Sequence, residues 1–169
     1  MDRPPNILER EVLTMNSFER LEDEACKDGI EVISRNFRNQ RISGLYCNGT
    51  IGINKSIDTI AKKSCVLAEE LGHHHTSVGN IIDMNDVRNR KQERQARLWG
   101  YNKLIGLRGI IRAYEAGCQN CHEIAEFLDV TEEFLLDCIE TYRDKYGLGT
   151  EIDGYYVMFI PHLTVWKLV

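Results

Sequence analysis

The hydrophobic pattern of the first part of the chain changes between helical and extended periods. Apolar positions recur every three to four residues in residues 14–27, which predicts an amphipathic helix. Residues 30–33 alternate and carry β-branched side chains, which predicts a short strand. Two alternating runs meet at Asn48 and Gly49, and both residue types accept the positive φ of a tight turn. A β-hairpin is therefore predicted at about residues 42–54.

Helical periods dominate the middle of the chain. Ser56 or Asp58 can cap a helix that runs to about His75. A loop at residues 76–86 separates it from a second long helix at 87–104. Three shorter helices follow, at residues 110–116, 122–128 and 131–146.

The last segment, residues 154–169, returns to an extended pattern that is split near Pro161. This pattern predicts two strands that form a C-terminal β-hairpin. The element order, with a hairpin before the helices and strands after them, indicates the α+β class.

Composition narrows the functional classes. The chain has 169 residues, 43% hydrophobic and 28% charged, which is typical of one soluble globular domain or two small subdomains. Its net charge of -5 gives no overall attraction to nucleic acid. No window approaches ~18 consecutive apolar residues, so no membrane span is expected. The start has no signal-peptide pattern, so we expect a cytoplasmic protein with six reduced cysteines.

One histidine-rich helical segment carries candidate metal chemistry. Positions i and i+4 of a helix lie ~40° apart around the axis, so Glu69 and His73 can bind one ion. Glu70 lies ~100° from Glu69 and can act as the general base of a zinc-protease motif, although position 69 lacks the usual histidine. Glu70 and His74 have the same i,i+4 spacing, but the base position would then be Leu71, whose side chain cannot transfer a proton.

Such a site needs a third protein ligand. The predicted helix at 87–104 supplies one acidic residue among basic ones, Glu93, which is the first candidate. Asp83 and Asp86 in the predicted loop are less favourable. The alternative for Glu93 is an ordinary i,i+4 ion pair with Arg97, and the alternative for the first helix is a solvated polar face. Spacing alone leaves both alternatives open.

Four segments, in this order along the chain, resemble the ImmA/IrrE family of phage and mobile-element metallopeptidases. The Gly-Leu-Tyr-Cys-Asn-Gly run at residues 44–49 looks like the hairpin before the active-site helix. The Glu-Glu-Leu-Gly-His run within residues 65–76 looks like the variant of phage members. Residues 93–100 are similar to the family's glutamate-bearing second helix, and residues 123–131 to the helical segment that follows.

The resemblance implies a zincin-like minimal metalloprotease fold. A small antiparallel sheet and the active-site helices would occupy residues 1–105. A helix-turn-helix-like region and the C-terminal β-hairpin would occupy 106–169 and pack on that core. Residue by residue, His73 and Glu93 match metal ligands, and Glu70 matches the general base. The implied cofactor is zinc, and the implied substrate is a helix-turn-helix repressor whose cleavage relieves repression.

Glu69 stands where the family usually has a histidine. Two carboxylates and one imidazole carry a ligand charge of -2, which neutralises a divalent ion and weakens its effect on water. Harder ligands also shift the preference toward manganese or iron. We therefore expect weaker zinc binding or lower activity than in a two-histidine relative. The alternative function is a non-catalytic relative that binds a repressor or DNA.

Two further motifs receive other interpretations. The Cys-x-x-Cys-His stretch at residues 118–122 matches the haem-attachment pattern, but haem attachment needs export, so structural thiols near a turn are expected. Residues 122–146 resemble a helix-turn-helix. The first turn of the second helix carries Glu132 and Glu133 and no arginine, and phosphates repel carboxylates. Direct DNA binding is therefore not expected, and the sequence leaves the oligomeric state open.

Overall fold

The computed structural model describes residues 15–76 and 87–168, which form an α+β fold. In chain order the helices are α1 (Ser17–Lys27), α2 (Ile60–Thr76), α3 (Val87–Leu104), α4 (Gly106–Glu115), α5 (Cys121–Phe127) and α6 (Glu132–Tyr146). The strands are β1 (Glu31–Arg35), β2 (Gly44–Cys47), β3 (Thr50–Asn54), β4 (Gly149–Ile152), β5 (Tyr155–Met158) and β6 (Thr164–Lys167). Within these ranges no helix is long and apolar enough to cross a membrane. Asp83 and Asp86 lie outside the described residues.

The N-terminal sheet has the strand order β1-β3-β2. The predicted hairpin is confirmed, since Asn48 and Gly49 adopt φ values of 48° and 80° between antiparallel β2 and β3. The prediction of an antiparallel sheet is wrong for β1, which pairs with β3 in parallel. The physical reason is burial. β3 carries the fully buried Ile51 and Ile53, so it takes the central position and β2 becomes an edge.

Helices α2 and α3 pack with their backbones in close approach. A Cβ atom on Gly72 would lie 2.2 Å from the carbonyl oxygen of Ala96, so only glycine fits there. One on Gly100 would lie 3.2 Å from the backbone carbonyl of Ala68. Small residues on both helices therefore set the distance between the side chains that α2 and α3 direct toward each other.

Helix α2 begins slightly later than predicted. Thr59, rather than Ser56 or Asp58, caps it, since its hydroxyl accepts a hydrogen bond from the backbone N–H of Lys62 at 3.2 Å. The long helix α3 has the predicted bounds. Helix α4 begins at Gly106, four residues before the predicted start at position 110.

The C-terminal segment forms three strands in the order β4-β5-β6, all antiparallel. The predicted hairpin of two strands split near Pro161 is confirmed by the antiparallel pair β5 and β6, but the prediction omits β4, which pairs with β5. The sequence pattern predicts no element between the helix that ends at residue 146 and the extended segment that starts at 154, but Gly149 begins strand β4. A Cβ there would meet the Val157 carbonyl oxygen at 2.5 Å and the Tyr156 hydroxyl at 2.8 Å. Glycine at this position therefore serves close strand packing.

Two hydrophobic cores lie on either side of the α2–α3 pair. The N-terminal core consists of Leu21, Ala25, Ile30, Ile51, Ile53, Val66, Leu67, Ala68 and Leu71. The larger C-terminal core is built mainly from α4–α6 and the second sheet, with Ile110, Ala113, Phe134, Leu135, Cys138, Tyr142, Val157 and Phe159 among its members.

A buried polar contact joins the two halves. The Ser17 hydroxyl lies 2.8 Å from that of Ser64 and donates a hydrogen bond to the carboxylate of Asp129. Asp129 has a φ of 54° at the turn between α5 and α6. Helix α1, helix α2 and this turn are therefore held together through these three side chains.

Candidate metal centre between two helices

His73 on α2 and Glu93 on α3 face each other across the tightest helix contact. The His73 Nε2 atom lies 3.3 Å from the Glu93 Oε2 atom, and the two side chains are 21% and 22% exposed. Two ligands on one tetrahedral zinc, each at 2.0–2.1 Å, lie roughly 3.3 to 3.4 Å apart. The pair therefore has the spacing of two ligands of one ion.

The Glu93 carboxylate also contacts its own helix. Its Oε1 atom accepts a hydrogen bond of 2.8 Å from Arg97 Nε, one turn further along α3. The i,i+4 ion pair and the histidine contact therefore exist together, with one carboxylate oxygen in each.

The surroundings of His73 favour the neutral imidazole that binds metals. Burial lowers the pKa of His73 from its usual value, and the nearby Arg97 lowers it further, whereas the Glu93 carboxylate opposes the shift. The neutral imidazole is the form of histidine that coordinates metal ions.

Glu69 lies one turn before His73 and is half-buried. Burial raises the pKa of Glu69, the Arg97 charge lowers it, and the Glu93 charge raises it. No three His, Cys, Asp or Glu side chains of the described ranges stand close enough together to hold an ion. The structure thus brings two of the three predicted ligands together and leaves Glu69 beside them, outside a closed three-ligand set.

Glu70 contacts the edge strand β2. Its Oε2 atom accepts a hydrogen bond of 2.8 Å from the backbone N–H of Tyr46. Burial raises the pKa of Glu70 to about 7; the Tyr46 hydrogen bond lowers it, and the charges of Glu69 and Glu93 raise it. A group with a pKa near neutrality can both accept and release a proton at physiological pH.

Gly44 makes room for the Glu70 side chain. A Cβ at this position would lie 2.5 Å from Val66 Cγ1 and 2.8 Å from Glu70 Oε1. The absence of a side chain on Gly44 therefore lets the carboxylate lie against β2.

The other two histidines of α2 point elsewhere. His74 Nδ1 lies 2.9 Å from the Tyr46 hydroxyl. His75 stacks on Trp99 with ring centroids 4.6 Å apart, and its Nε2 atom lies 3.4 Å from Asp28. His74 thus helps to fix Tyr46, and His75 joins α2 to neighbouring elements.

Tyr46 was missed by sequence reasoning as a site residue. The sequence signal was its place in the hairpin preceding the active-site helix, but pairing register alone does not tell which backbone N–H faces a helix.

The Cys-x-x-Cys-His stretch forms no second centre. All six cysteines of the chain are free thiols. Cys118 Sγ donates to the backbone carbonyl of Glu123 at 3.6 Å, and His122 lies 3.6 Å from Glu126 and 3.5 Å from Glu132 on the surface. These contacts belong to the capping and surface of short helix α5.

The donor set at the α2–α3 contact fits a divalent cation. The two donors in contact there are the imidazole of His73 and the carboxylate of Glu93, and the half-buried carboxylates of Glu69 and Glu70 lie on the same helix as His73. Imidazole with carboxylate oxygen suits zinc, manganese or iron.

Comparison with known proteins agrees with the resemblance found in the sequence. No curated protein and no solved structure matches the chain. The sequence model of Peptidase_M78, the IrrE N-terminal-like domain, matches residues 25–139. This match spans most of the chain and includes α2, α3 and the hairpin before them. The chain therefore belongs to the IrrE N-terminal-like domain family, which is of the metallopeptidase type.

Proposed function

We propose that the protein is a metal-dependent endopeptidase. The observation that carries this proposal is the contact of 3.3 Å between His73 Nε2 and Glu93 Oε2, in a chain of this family, with Glu70 on the same helix. His73 and Glu93 would hold the ion, with Glu69 as the third donor. Zinc is the proposed metal, and manganese or iron are its alternatives, because two of the three donors are carboxylates.

A bound divalent cation would supply Lewis-acid polarisation of the scissile carbonyl and of the attacking water. The protein's own part in the chemistry is proton transfer by Glu70. With a pKa of about 7, its carboxylate takes a proton from the water and passes it to the leaving amine. The Tyr46 N–H fixes the orientation of this carboxylate through its bond to Oε2.

The substrate that we propose is a helix-turn-helix repressor encoded by a phage or mobile element, which places the reaction in the cytoplasm. The edge position of β2 supports binding of an extended segment of that substrate. Main-chain hydrogen bonds along an edge strand tolerate many sequences. Such a segment would lie beside Glu70, since Glu70 already contacts Tyr46 and Gly44 of this strand.

The test begins with metal binding. Purified protein is titrated with Zn²⁺, Mn²⁺ and Fe²⁺, and His73→Ala and Glu93→Gln are compared with His122→Ala, a surface histidine of α5. We expect both site variants to lose most metal affinity and the control to keep it. A wild-type protein that binds none of the three ions would disprove the proposal.

Glu70→Gln then separates catalysis from binding. We expect this variant to keep metal and repressor binding but to cleave the repressor 10²- to 10⁴-fold more slowly, which is about the usual contribution of a general base. Cleavage is followed by the appearance of repressor fragments.

A second candidate function is repressor binding without cleavage. The observation that favours it is Glu69, which replaces the usual histidine and joins no three-ligand group of the described residues. On this view Glu70→Gln would release the repressor from DNA as well as the wild type does, and no fragments would form. Glu69→His should strengthen zinc binding if Glu69 is a ligand.

A further inference from the structure

Arg97 contacts the candidate metal centre through the carboxylate that also faces His73. Its Nε atom lies 2.8 Å from Glu93 Oε1, and Glu93 Oε2 lies 3.3 Å from His73 Nε2. We propose that Arg97 is a positioning residue: it holds one oxygen of Glu93, so that the other is directed to the ion as a single-oxygen ligand. This inference rests on the proposed function, since it concerns how the same site binds its metal.

The helix geometry supports this role. Glu93 and Arg97 lie one turn apart on α3, and Ala96 between them packs directly on the backbone of Gly72. This contact fixes the rotation of α3, so that Glu93 faces α2. A carboxylate has two equivalent oxygens and can rotate or bind an ion with both. An arginine Nε–H has a fixed direction in the plane of its guanidinium group, which removes that freedom from Glu93.

A single-oxygen glutamate has a chemical consequence. Catalytic metal sites use three protein donors and keep one position open for water or substrate. If Glu93 bound with both oxygens, its second oxygen would compete for the open position. The hydrogen bond from Arg97 engages Oε1 and fixes the plane of the carboxylate, which disfavours binding through both oxygens.

The positive charge of Arg97 should affect metal affinity less than its hydrogen bond to Glu93 does. The Arg97 side chain is 49% exposed and borders a groove of about 340 Å³ that is lined by residues of α3 and α6. Water in this groove screens its repulsion of a metal ion. Loss of the hydrogen bond should therefore outweigh the relief of repulsion, and removal of Arg97 should weaken metal binding.

Arg94 offers a matched control on the same helix. It borders the same groove and also forms an ion pair, but its partner is Asp144, at 2.7 Å, rather than Glu93. Arg94→Gln removes the same charge from the same groove as Arg97→Gln. Only the second substitution removes the hydrogen bond to Glu93.

The experiment measures zinc affinity by competition with a chelating dye for the wild type, Arg97→Gln, Arg97→Lys and Arg94→Gln. We expect about 10- to 100-fold weaker binding for Arg97→Gln, the usual effect of losing a partner of a metal ligand. Arg97→Lys should recover only part of the loss, because an ammonium keeps the charge but lacks the fixed Nε–H direction. Arg94→Gln should equal the wild type.

Cobalt-substituted proteins give a second readout, because the absorption of Co²⁺ depends on coordination geometry. We expect the spectrum of Arg97→Gln to differ from that of the wild type, and the spectrum of Arg94→Gln to match it. Circular dichroism verifies that each variant is folded, and this exposed position makes a large loss of stability unexpected.

Several results would overturn the positioning role. Equal zinc affinity of Arg97→Gln and wild type would reduce the contact to a surface ion pair. Tighter binding by Arg97→Gln, or full recovery by Arg97→Lys, would show that charge alone matters. In these cases the wild type binds zinc and the proposed function stands. A wild type that binds no metal would instead overturn both proposals.

Discussion

Burial favours the neutral form of ionisable groups in both hydrophobic cores, but the resulting pKa values differ in how close they lie to pH 7. In the C-terminal core burial raises the pKa of Cys138 to about 12 and also raises the pKa of Tyr142, so both are neutral at pH 7. At the border of the N-terminal core, burial raises the pKa of Glu70 to about 7 and lowers the pKa of His73. At this border the fold retains groups whose charge is costly near neutral pH.

This difference separates a region built for stability from one built for chemistry. Perturbed pKa values in a cluster are typical of functional sites, because catalysis needs groups that change protonation near the working pH. The C-terminal core has buried hydroxyls and thiols but no such cluster among its described members. Substitutions in the two regions should therefore have separable effects on stability and on metal binding.

The largest effect on stability is expected in the C-terminal core. Leu135 has 0% exposure, so Leu135→Ala leaves a cavity and should lower the free energy of unfolding by about 3 to 4 kcal/mol. Zinc affinity, measured well below the unfolding temperature, should stay unchanged. A parallel loss of zinc affinity would show that the two regions are not separable.

Gly72→Ala should affect both properties. Its Cβ would meet the Ala96 carbonyl oxygen at 2.2 Å, which forces α2 and α3 apart and should cost about 3 kcal/mol. Zinc affinity should fall as well, because His73 and Glu93 lie on these two helices.

Gly109→Ala is the matched control for Gly72→Ala. Gly109 is also a buried helical glycine, but the nearest atom to a Cβ added there would be a movable side-chain atom, Leu128 Cδ2, at 3.3 Å. We expect a change within about 1 kcal/mol, since the gain in helix propensity offsets the close contact. Similar losses in both variants, by urea denaturation, would contradict this account of the α2–α3 contact.

Glu70→Gln should change the pH dependence of stability in protein treated with a chelator. The pKa of Glu70 is raised from 4.5 to about 7 in the folded protein. Such a group contributes stability below its unfolded pKa, and this contribution is lost as the pH rises through the folded pKa. The neutral amide avoids that loss and still accepts the Tyr46 hydrogen bond.

The variant should therefore be more stable than the wild type at pH 8, by on the order of 2 to 3 kcal/mol, and equally stable near pH 4. Thermal unfolding at both pH values measures the difference. A gain that does not vary with pH would show that the Glu70 charge is not its cause.

The smallest effect is expected where the two halves meet. Ser17→Ala removes the hydroxyl between Ser64 and Asp129 and should lower the free energy of unfolding by about 1 kcal/mol. Ser56→Ala, at an exposed position, should change it by only a few tenths. Urea denaturation measures the free energy of unfolding of both variants. Equal losses would argue against a stabilising role of the Ser17 hydroxyl.

Much of the fold could be predicted because it depends on local patterns. The amphipathic period predicted α1, the Asn48-Gly49 turn predicted the hairpin, and the α+β class followed. The errors concern contacts between distant segments. The parallel pairing of β1 with β3 depends on which strand is most buried. Strand β4 was not predicted because glycine is typical of a break between elements, whereas Gly149 permits close strand packing.

The candidate site divides in the same way. Helical spacing selected Glu69 and His73 as candidates, because residues one turn apart share a face, and the zinc-protease motif selected Glu70. Glu93 could be selected as the acidic residue of the next helix, although spacing did not show whether it would face His73 or Arg97. The structure shows that it contacts both, with one oxygen each.

The sequence by itself determined which residues could share a helix face, where the chain turns, and to which family it belongs. Those properties depend on backbone periodicity and local conformational preference, which act over a few residues. Only the tertiary structure decided that Gly72 and Ala96 bring two helices into contact, that Tyr46 holds Glu70, and that Arg97 and His73 share Glu93. These contacts join segments distant in sequence or depend on side-chain orientation, and close packing alone fixes them.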